Sequence, residues 1–593
     1  MRRLPFLLLV CLALPAVAPD LAAGFANPPM SARPQVWWHW LNGNVTPAGI
    51  TADLEAMKRV GLGGGTIANI PYAAVGPAPF NSPAWHVAVK HAAAEAKRLG
   101  MEIGFFNCEG WSSSGGPWVK PDDAMQMLCW SQRRVTGPAE AKLPSQPLTR
   151  LGTYRDAALL AFPTPADERL PSLRTIGAKA EVDLAPAFDD DAATVITVPP
   201  AAKPELHLTF EQTFAAGRLK LVPGATWIRG KVVLSHSADG QNWQPVLTAE
   251  LPSSFLDIGT DWLVDKRFAA VSARFWRLAF EPNPGMPSTM QIGELDLLPA
   301  AEPAPIEPGS IVDLTGQATW RAPAGDWTLL RLGYTPIGKR NHPVTQFGEG
   351  LEVDKLSRAA LAHHFRDGID PLLRELGPLV GSSMRYCLID SYECGEQNWT
   401  ANLPAEFAAR RGYALPGWLP VLTGRRVASA ERSTRFEEDF RRTLADLWNA
   451  EYYGAFADLC HARGLKTSVE AYGCRLFDEL RAAGLNDMPM SEFWFGSQDD
   501  GGTSKQAASS AHTYGRPLVG AASFTSGDQF DFTPAAMKAQ GDAMFAAGVN
   551  RYYFHSSAGQ RDVPHDGPGM VWGNGIHLTR NLTWFEQSRA WLA

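Results

Sequence analysis

The chain has 593 residues, with 54 lysines and arginines against 61 aspartates and glutamates, and a net charge of −7. This length predicts two or three domains and a large buried core. The slightly negative charge and the lack of a basic run exclude electrostatic attraction to nucleic acid or to an anionic membrane, so we expect neither as a partner. A neutral substrate suits this charge better.

The N-terminus has the pattern of a removable secretory signal over residues 1–23. Arg2 and Arg3 precede an apolar run over residues 4–17, and small residues follow. No later segment has about 18 uninterrupted apolar residues, so no other span of a membrane is predicted. We therefore expect a secreted, periplasmic protein.

Six cysteines follow the predicted signal, and their spacing matches no zinc-binding pattern. Export permits disulfides, but buried free thiols are an equally good interpretation, and the pairing cannot be inferred from the sequence. The six are Cys108, Cys129, Cys387, Cys394, Cys460 and Cys474.

Residues 24–134 alternate between strand and helix patterns. Residues 36–40 predict a strand, and Thr46 with Pro47 predicts the start of a helix that ends at Gly61. Strands are predicted again over residues 66–70 and 102–107, with a helix over residues 83–98 between them. The segment therefore predicts three β/α units.

Helical periodicity disappears over residues 135–335, where short alternating runs are separated by proline and glycine. This pattern predicts an inserted β-sandwich. The segments "SHSADGQNW" and "ARFWRLAF" resemble the galactose-binding-like jelly roll of carbohydrate-active enzymes. Such a domain either binds carbohydrate or braces its neighbour, and bracing is the interpretation that we favour.

The alternation resumes over residues 336–593. A long helix is predicted over residues 434–463, begun by a capping box of Thr434 and Glu437, and a final helix over residues 579–592. Five more strands are predicted, at residues 384–391, 466–471, 488–493, 518–524 and 550–554. Eight strands separated by helices predict a (β/α)8 TIM barrel with the sandwich inserted after the third strand.

In such barrels the reacting groups lie where the strands end, at their carboxyl side. Glycosidic cleavage needs one carboxyl group to protonate the leaving oxygen and a second to activate water or to attack carbon. Each acidic residue has a structural alternative, as a helix cap or a partner of arginine. The candidates at strand ends are Asn107, Glu109, Asp390, Glu393, Glu470, Glu492 and His555.

Glu393 follows an apolar strand and lies among Tyr392, Asn398 and Trp399. This setting predicts a buried carboxyl group with a raised pKa, as a general acid requires. Trp37, Trp38 and Trp40 of the first strand alternate between its faces, so they cannot all line one site. Trp111, in a glycine- and serine-rich loop, is a better candidate for stacking on a sugar.

Long motifs in the barrel segments resemble glycoside hydrolase family 106. They are "WWHWLNGNVTPAGITADLEAMKRVGLGGGTI", "NCEGWSSSGGPWVKPDDAMQ", "GLEVDKLS", "DSYECGEQNWT", "EAYG", "SEFW" and "GVNRYYFH". The resemblance runs from near Gln35 to the end of the sequence. Relatives generally continue into further β-domains, so this sequence is either a minimal member or a fragment.

The resemblance implies an α-L-rhamnosidase that releases rhamnose from an oligosaccharide or glycoside with inversion, often with calcium at the sugar hydroxyls. It implies Glu393 as general acid. Because calcium prefers clustered carboxylates, Glu492 and Asp390 are candidate metal ligands. The expected substrate-binding residues are Trp38, His39, Asn107, Glu109, Trp111, Asp390, Asn398, Trp399 and His555.

The sequence departs from the family at the end of the seventh strand, where Ala522 occupies the position expected for the general base. Glu470 or Glu492 could supply the base instead. Two alternatives therefore stay open: a degenerate relative that binds glycans without cleaving them, and a retaining glycosidase. A retaining enzyme needs its carboxyl groups about 5–5.5 Å apart, whereas an inverting one needs about 6.5–9.5 Å.

Overall fold

A computed structural model describes residues 21–147, 149–189, 194–224, 226–251, 263–285, 288–473, 476–496, 501–527, 530, 532–562 and 569–592. The predicted signal lies outside these ranges up to residue 20, and Leu21–Ala26 is a short helix. No helix within the ranges has the length and apolar character needed to cross a bilayer.

Eight parallel strands close into a barrel, as the sequence predicts. Each strand pairs with its neighbours in chain order, and the last pairs with the first. The strands are β1 (Gln35–Leu41), β2 (Gly64–Ile70), β3 (Glu102–Phe106), β4 (Met384–Ile389), β5 (Lys466–Val469), β6 (Met488–Trp494), β7 (Gly520–Thr525) and β8 (Arg551–Ala558).

Helices surround this barrel, and several begin at a hydroxyl cap. The Thr46 side chain accepts a hydrogen bond from the Gly49 N–H, and Gly61 ends the same helix in a left-handed conformation, as predicted. The helices are Pro47–Val60, Pro83–Leu99, Arg358–His364, Asp370–Leu376, Leu403–Arg411, Ala430–Leu447, Ala455–His461, Glu479–Gly484, Gly502–Tyr514, Pro534–Ala547 and Arg589–Leu592.

Two helix predictions were wrong. The long helix begins at Ala430, where Ser429 accepts a hydrogen bond from the Arg432 N–H, so Thr434 lies inside the helix and is no cap. The same helix passes into a π-helical stretch at Trp448–Gly454. The final helix is only Arg589–Leu592, because turns occupy most of the preceding segment.

The segment between β3 and β4 forms two antiparallel sheets. A four-stranded sheet packs Leu160 and Leu332 on the barrel core, whereas a six-stranded sheet encloses a separate apolar cluster around Trp276. The first strand begins at Gln126, before the predicted boundary at residue 135. A galactose-binding-like sandwich stays a prediction.

The bounds of the four-stranded sheet are Val312–Asp313, Arg155–Pro163, Trp320–Pro336 and Gln126–Ala141. Those of the six-stranded sheet are Gln244–Glu250, Gly230–Ser237, Val264–Pro282, Glu205–Pro223, Gln291–Leu298 and Ile196–Thr197.

The corrected helix start gives a matched test. We expect Ser429→Ala to lower the free energy of unfolding by about 1 kcal/mol, because a backbone N–H loses its cap. Thr434→Ala, on the exposed side of the helix, should change it by less than about 0.5 kcal/mol. Urea denaturation followed by circular dichroism measures both, and equal effects would contradict the observed start.

Candidate active site

The barrel interior has an apolar floor with a polar layer above it, toward the carboxyl ends of the strands. The floor consists of Trp37, Ala68, Phe106, Tyr386, Leu388, Met488, Met490, Ala522 and Tyr553. Because side chains alternate along a strand, the next inward positions form the polar layer. These positions are His39, Asp390, Glu470, Glu492 and His555.

Asp390, Glu470 and Glu492 come from the adjacent strands β4, β5 and β6. Burial, and then the charges of Glu492 and Glu393, raise the pKa of Asp390 to about 8. Burial and the neighbouring acids likewise raise the pKa of Glu470 well above its ordinary value. Desolvation and the like charges therefore disfavour the ionised forms of Asp390 and Glu470.

Glu492 is more accessible than Glu470, which is fully buried. Its side chain is partly exposed, and the Thr525 hydroxyl donates a hydrogen bond of 2.7 Å to its Oε1. In the pairing of β6 with β7, Glu492 lies opposite Ala522. Ala522 occupies the position expected for the general base. Its methyl group therefore lies beside the Glu492 carboxylate, which accepts the hydrogen bond from Thr525.

Glu393 lies on the loop after β4, and its side chain is 43% exposed. The burial expected from its sequence neighbours was wrong, because Tyr392 and Trp399 turn away into the apolar core. Instead, the Trp111 indole N–H donates to Glu393 Oε2 at 3.0 Å, and the Ser391 hydroxyl donates to Oε1 at 3.2 Å. Two polar side chains thus orient this carboxyl group at the rim of the mouth.

The loop that carries Trp111 is built on a buried ion pair. Lys355 Nζ lies 2.6 Å from Glu352 Oε2, and neither side chain has any exposure. Glu352 accepts hydrogen bonds from the Ser112 hydroxyl and the Ser114 N–H. Although burial opposes it, Lys355 lowers the pKa of Glu352, so both groups are charged.

An aromatic wall rises from the polar layer to the rim. Trp572 contacts His39 at a centroid distance of 4.5 Å and His555 at 5.2 Å. On its other side it lies 5.7 Å from Trp111, whose ring stacks on Tyr72 at 6.3 Å. Tyr72, Trp572 and the Lys355 ion pair were not predicted from the sequence, because no local pattern indicates contacts between distant loops.

The two histidines of the layer are neutral. Burial, then the neighbouring His555, lowers the pKa of His39 well below its ordinary value, and burial lowers that of His555 to about 3. The Nδ1 atom of each ring is buried and has no hydrogen-bond partner among the described residues. Such atoms are suited to pairing with hydroxyl groups of a ligand.

Three predicted substrate-binding residues lie elsewhere. Trp38 is fully buried between β1 and the helices, and Trp399 is packed in the same core against Tyr334. Asn398 accepts a hydrogen bond from the Leu128 N–H, at the start of the inserted sheets. A sequence shows that such residues follow a strand, but not the direction in which they point.

Asn107 and Glu109 stabilise the loop after β3. The Asn107 amide donates to the Ser113 and Leu388 carbonyls, and Glu109 accepts from the Thr345 hydroxyl. Burial raises the pKa of Glu109 to about 7. A role for either in binding substrate stays a prediction.

The described cysteines form no disulfide bonds. Cys108, Cys129, Cys387, Cys394 and Cys460 are buried free thiols, and Cys474 lies outside the described residues. Within the part of the chain that the structure describes, no group of three or more His, Cys, Asp and Glu side chains could hold a metal ion. The calcium expectation, with Glu492 and Asp390 as ligands, stays a prediction.

Comparisons with known proteins are consistent with a glycosidase site. The α-L-rhamnosidase model of glycoside hydrolase family 106 matches residues 26–593. A relative from Formosa agariphila, named "Putative beta-glucuronidase", is 36% identical over 97% of this chain. The rhamnosidase structure from Novosphingobium sp. PP1Y is 32% identical over 97% of this chain, with a TM-score of 0.80. The chain spans 41% of the first relative and 60% of the second.

Removing one partner of the buried ion pair tests its structural role. We expect Lys355→Met to lower the free energy of unfolding by about 3–5 kcal/mol, because Glu352 would be left buried and unpaired. The control is Lys538→Met, which breaks the exposed pair with Asp542 and should cost no more than about 1 kcal/mol. Comparable losses in guanidinium denaturation would contradict the assignment.

Proposed function

The chain belongs to glycoside hydrolase family 106, the α-L-rhamnosidases, and from this we propose that it hydrolyses terminal L-rhamnose from glycans or glycosides. The observation that carries the proposal is the meeting of four acidic side chains from three chain segments at one barrel mouth. Asp390 lies within electrostatic reach of Glu393, Glu470 and Glu492. A rim acid and an inner carboxylate are the pair that glycosidic cleavage requires.

In this proposal Glu393 is the general acid and Glu492 the general base. Glu393 lies at the solvent side, where the leaving group departs, and would protonate the glycosidic oxygen. Glu492 is partly exposed and accepts the Thr525 hydrogen bond, which supports an ionised form that can take a proton from water. Glu470 is less suited to that role, because burial and the neighbouring acids raise its pKa and disfavour the ionised form that a base needs.

Inversion follows if water lies between Glu492 and the anomeric carbon. The first product is then β-L-rhamnose, whereas the retaining alternative gives the α anomer first. Proton NMR of the reaction in its first minutes distinguishes the two anomers before mutarotation mixes them.

A neutral deoxy sugar suits the described mouth better than a uronic acid does. The carboxyl groups of the polar layer pair with hydroxyls and disfavour a second carboxylate, and its neutral histidines carry no positive charge to attract one. The name of the Formosa relative makes a glucuronide the competing substrate. Parallel assays with p-nitrophenyl α-L-rhamnoside and p-nitrophenyl β-D-glucuronide separate the two.

Calcium and export stay proposals. Because the described acids do not form a metal group, no step above depends on calcium. A loss of activity on dialysis against EGTA, restored by Ca²⁺, would establish a requirement. Export to the periplasm is supported by the sequence of residues 1–23 and is tested by fractionation of the native cells.

The leaving group provides a test of Glu393. We expect Glu393→Gln to lower kcat/KM on a rhamnosyl disaccharide by about 10²–10⁴-fold, because the sugar oxygen leaves only when protonated. On p-nitrophenyl rhamnoside, whose leaving group is a weak base, the loss should be much smaller. Glu396→Gln, an exposed acid in the same loop, is the control. Equal losses on both substrates would contradict the acid role.

Two substitutions of glutamate by glutamine test which residue is the base. We expect Glu492→Gln to lower kcat on both substrates by about 10²–10⁴-fold, because water needs the base to attack the anomeric carbon whichever group leaves. Glu470→Gln should cost less, since its partner Asp390 keeps a hydrogen-bonding neighbour. A greater loss in Glu470→Gln would assign the base there. Binding of rhamnosides without turnover, with activity gained in Ala522→Glu, would instead establish the degenerate relative.

A further inference from the structure

Tyr72 is an exposed aromatic residue at the rim of the mouth. It follows β2 by two residues, and about half of its surface, 51%, is exposed. Its ring is nearly parallel to that of Trp111, with an interplanar angle of 20°, and Trp572 lies 5.8 Å away at a tilt. Two indoles therefore hold an exposed phenol ring in a fixed orientation.

Trp111 connects this ring to the candidate acid. Trp111 stacks on Tyr72 with its face and donates its indole N–H to Glu393 with its edge. Trp572 continues the wall inward to His39 and His555. The wall therefore runs from the deep polar layer, past Glu393, to Tyr72 at the outside.

The order along this wall separates two subsites. A sugar that is cleaved from its end lies in the deep layer, and the acid protonates the oxygen on its outer side. The group beyond that oxygen must then lie toward solvent, where Tyr72 is. A flat ring with an apolar face, either a pyranose or an aromatic aglycone, can stack there.

We propose that Tyr72 is the platform of the leaving-group subsite and selects substrates whose leaving group is a flat ring. This inference rests on the proposed function, because it needs Glu393 to act as the acid. Trp111 is a positioning residue in the same assembly, since it holds both the platform and the carboxyl group.

The test varies the leaving group with the same sugar. The substrates are a rhamnosyl disaccharide, p-nitrophenyl α-L-rhamnoside and α-L-rhamnosyl fluoride, which has no ring beyond the scissile bond. We expect Tyr72→Ala to lower kcat/KM about tenfold on the first two and less than about twofold on the fluoride. A loss on only one of them identifies that ring as the preferred occupant.

Two variants control for folding and for simple loss of an aromatic group. Tyr72→Phe keeps the ring and should retain activity on all three substrates. Tyr514→Ala removes another exposed tyrosine, at the end of the helix Gly502–Tyr514, and should leave the three ratios unchanged. Equal loss on the fluoride, or no loss on the ring substrates, would overturn the platform. A wild-type chain that cleaves none of them would instead overturn the proposed function, and the platform with it.

Discussion

Lys355 and Glu352 form an ion pair without any exposure to solvent, and the loop bearing Trp111 depends on it. Two buried charges are stable only when their remaining hydrogen bonds are satisfied. Ser112 and Ser114 satisfy those of Glu352, so the pair specifies the path of the loop. Trp111 is then held where its indole N–H meets Glu393, and the position of the candidate acid depends on a fully buried charge pair.

The polar layer illustrates a second constraint, which is the repulsion between like charges in a buried place. Asp390, Glu470 and Glu492 lie on or just after neighbouring strands, and burial together with the neighbouring acids raises the pKa of Asp390 and of Glu470, which favours their neutral forms. Burial lowers the pKa of His39 on β1 and of His555 on β8, so both rings are neutral. The layer thus offers many hydrogen-bonding atoms and few charged groups, which suits a neutral ligand rich in hydroxyls.

Local signals in the sequence predicted the barrel correctly, but they could not predict the contacts between distant segments. Thr46 and Gly61 were correct because a cap and a left-handed glycine act over a few residues. Trp38 was assigned wrongly because strands of a barrel are buried on both faces, so hydrophobicity does not tell which face points inward. The environment of Glu393 was wrong for a related reason: its neighbours in sequence pack into the core, while Trp111 comes from another loop.

Ala522 shows how one position changes the electrostatics of the mouth. A carboxylate there would lie directly beside Glu492 in the pairing of β6 with β7, and would add a fourth acid to the layer. In this chain β7 contributes a hydroxyl instead. Phe524 adopts a left-handed conformation, with φ of 63°, and the following Thr525 donates to Glu492. The Thr525 hydroxyl stabilises the ionised form of Glu492, whereas a second acid at position 522 would destabilise it. The replacement of that acid by Ala522 therefore favours Glu492 as the group that accepts the proton of water.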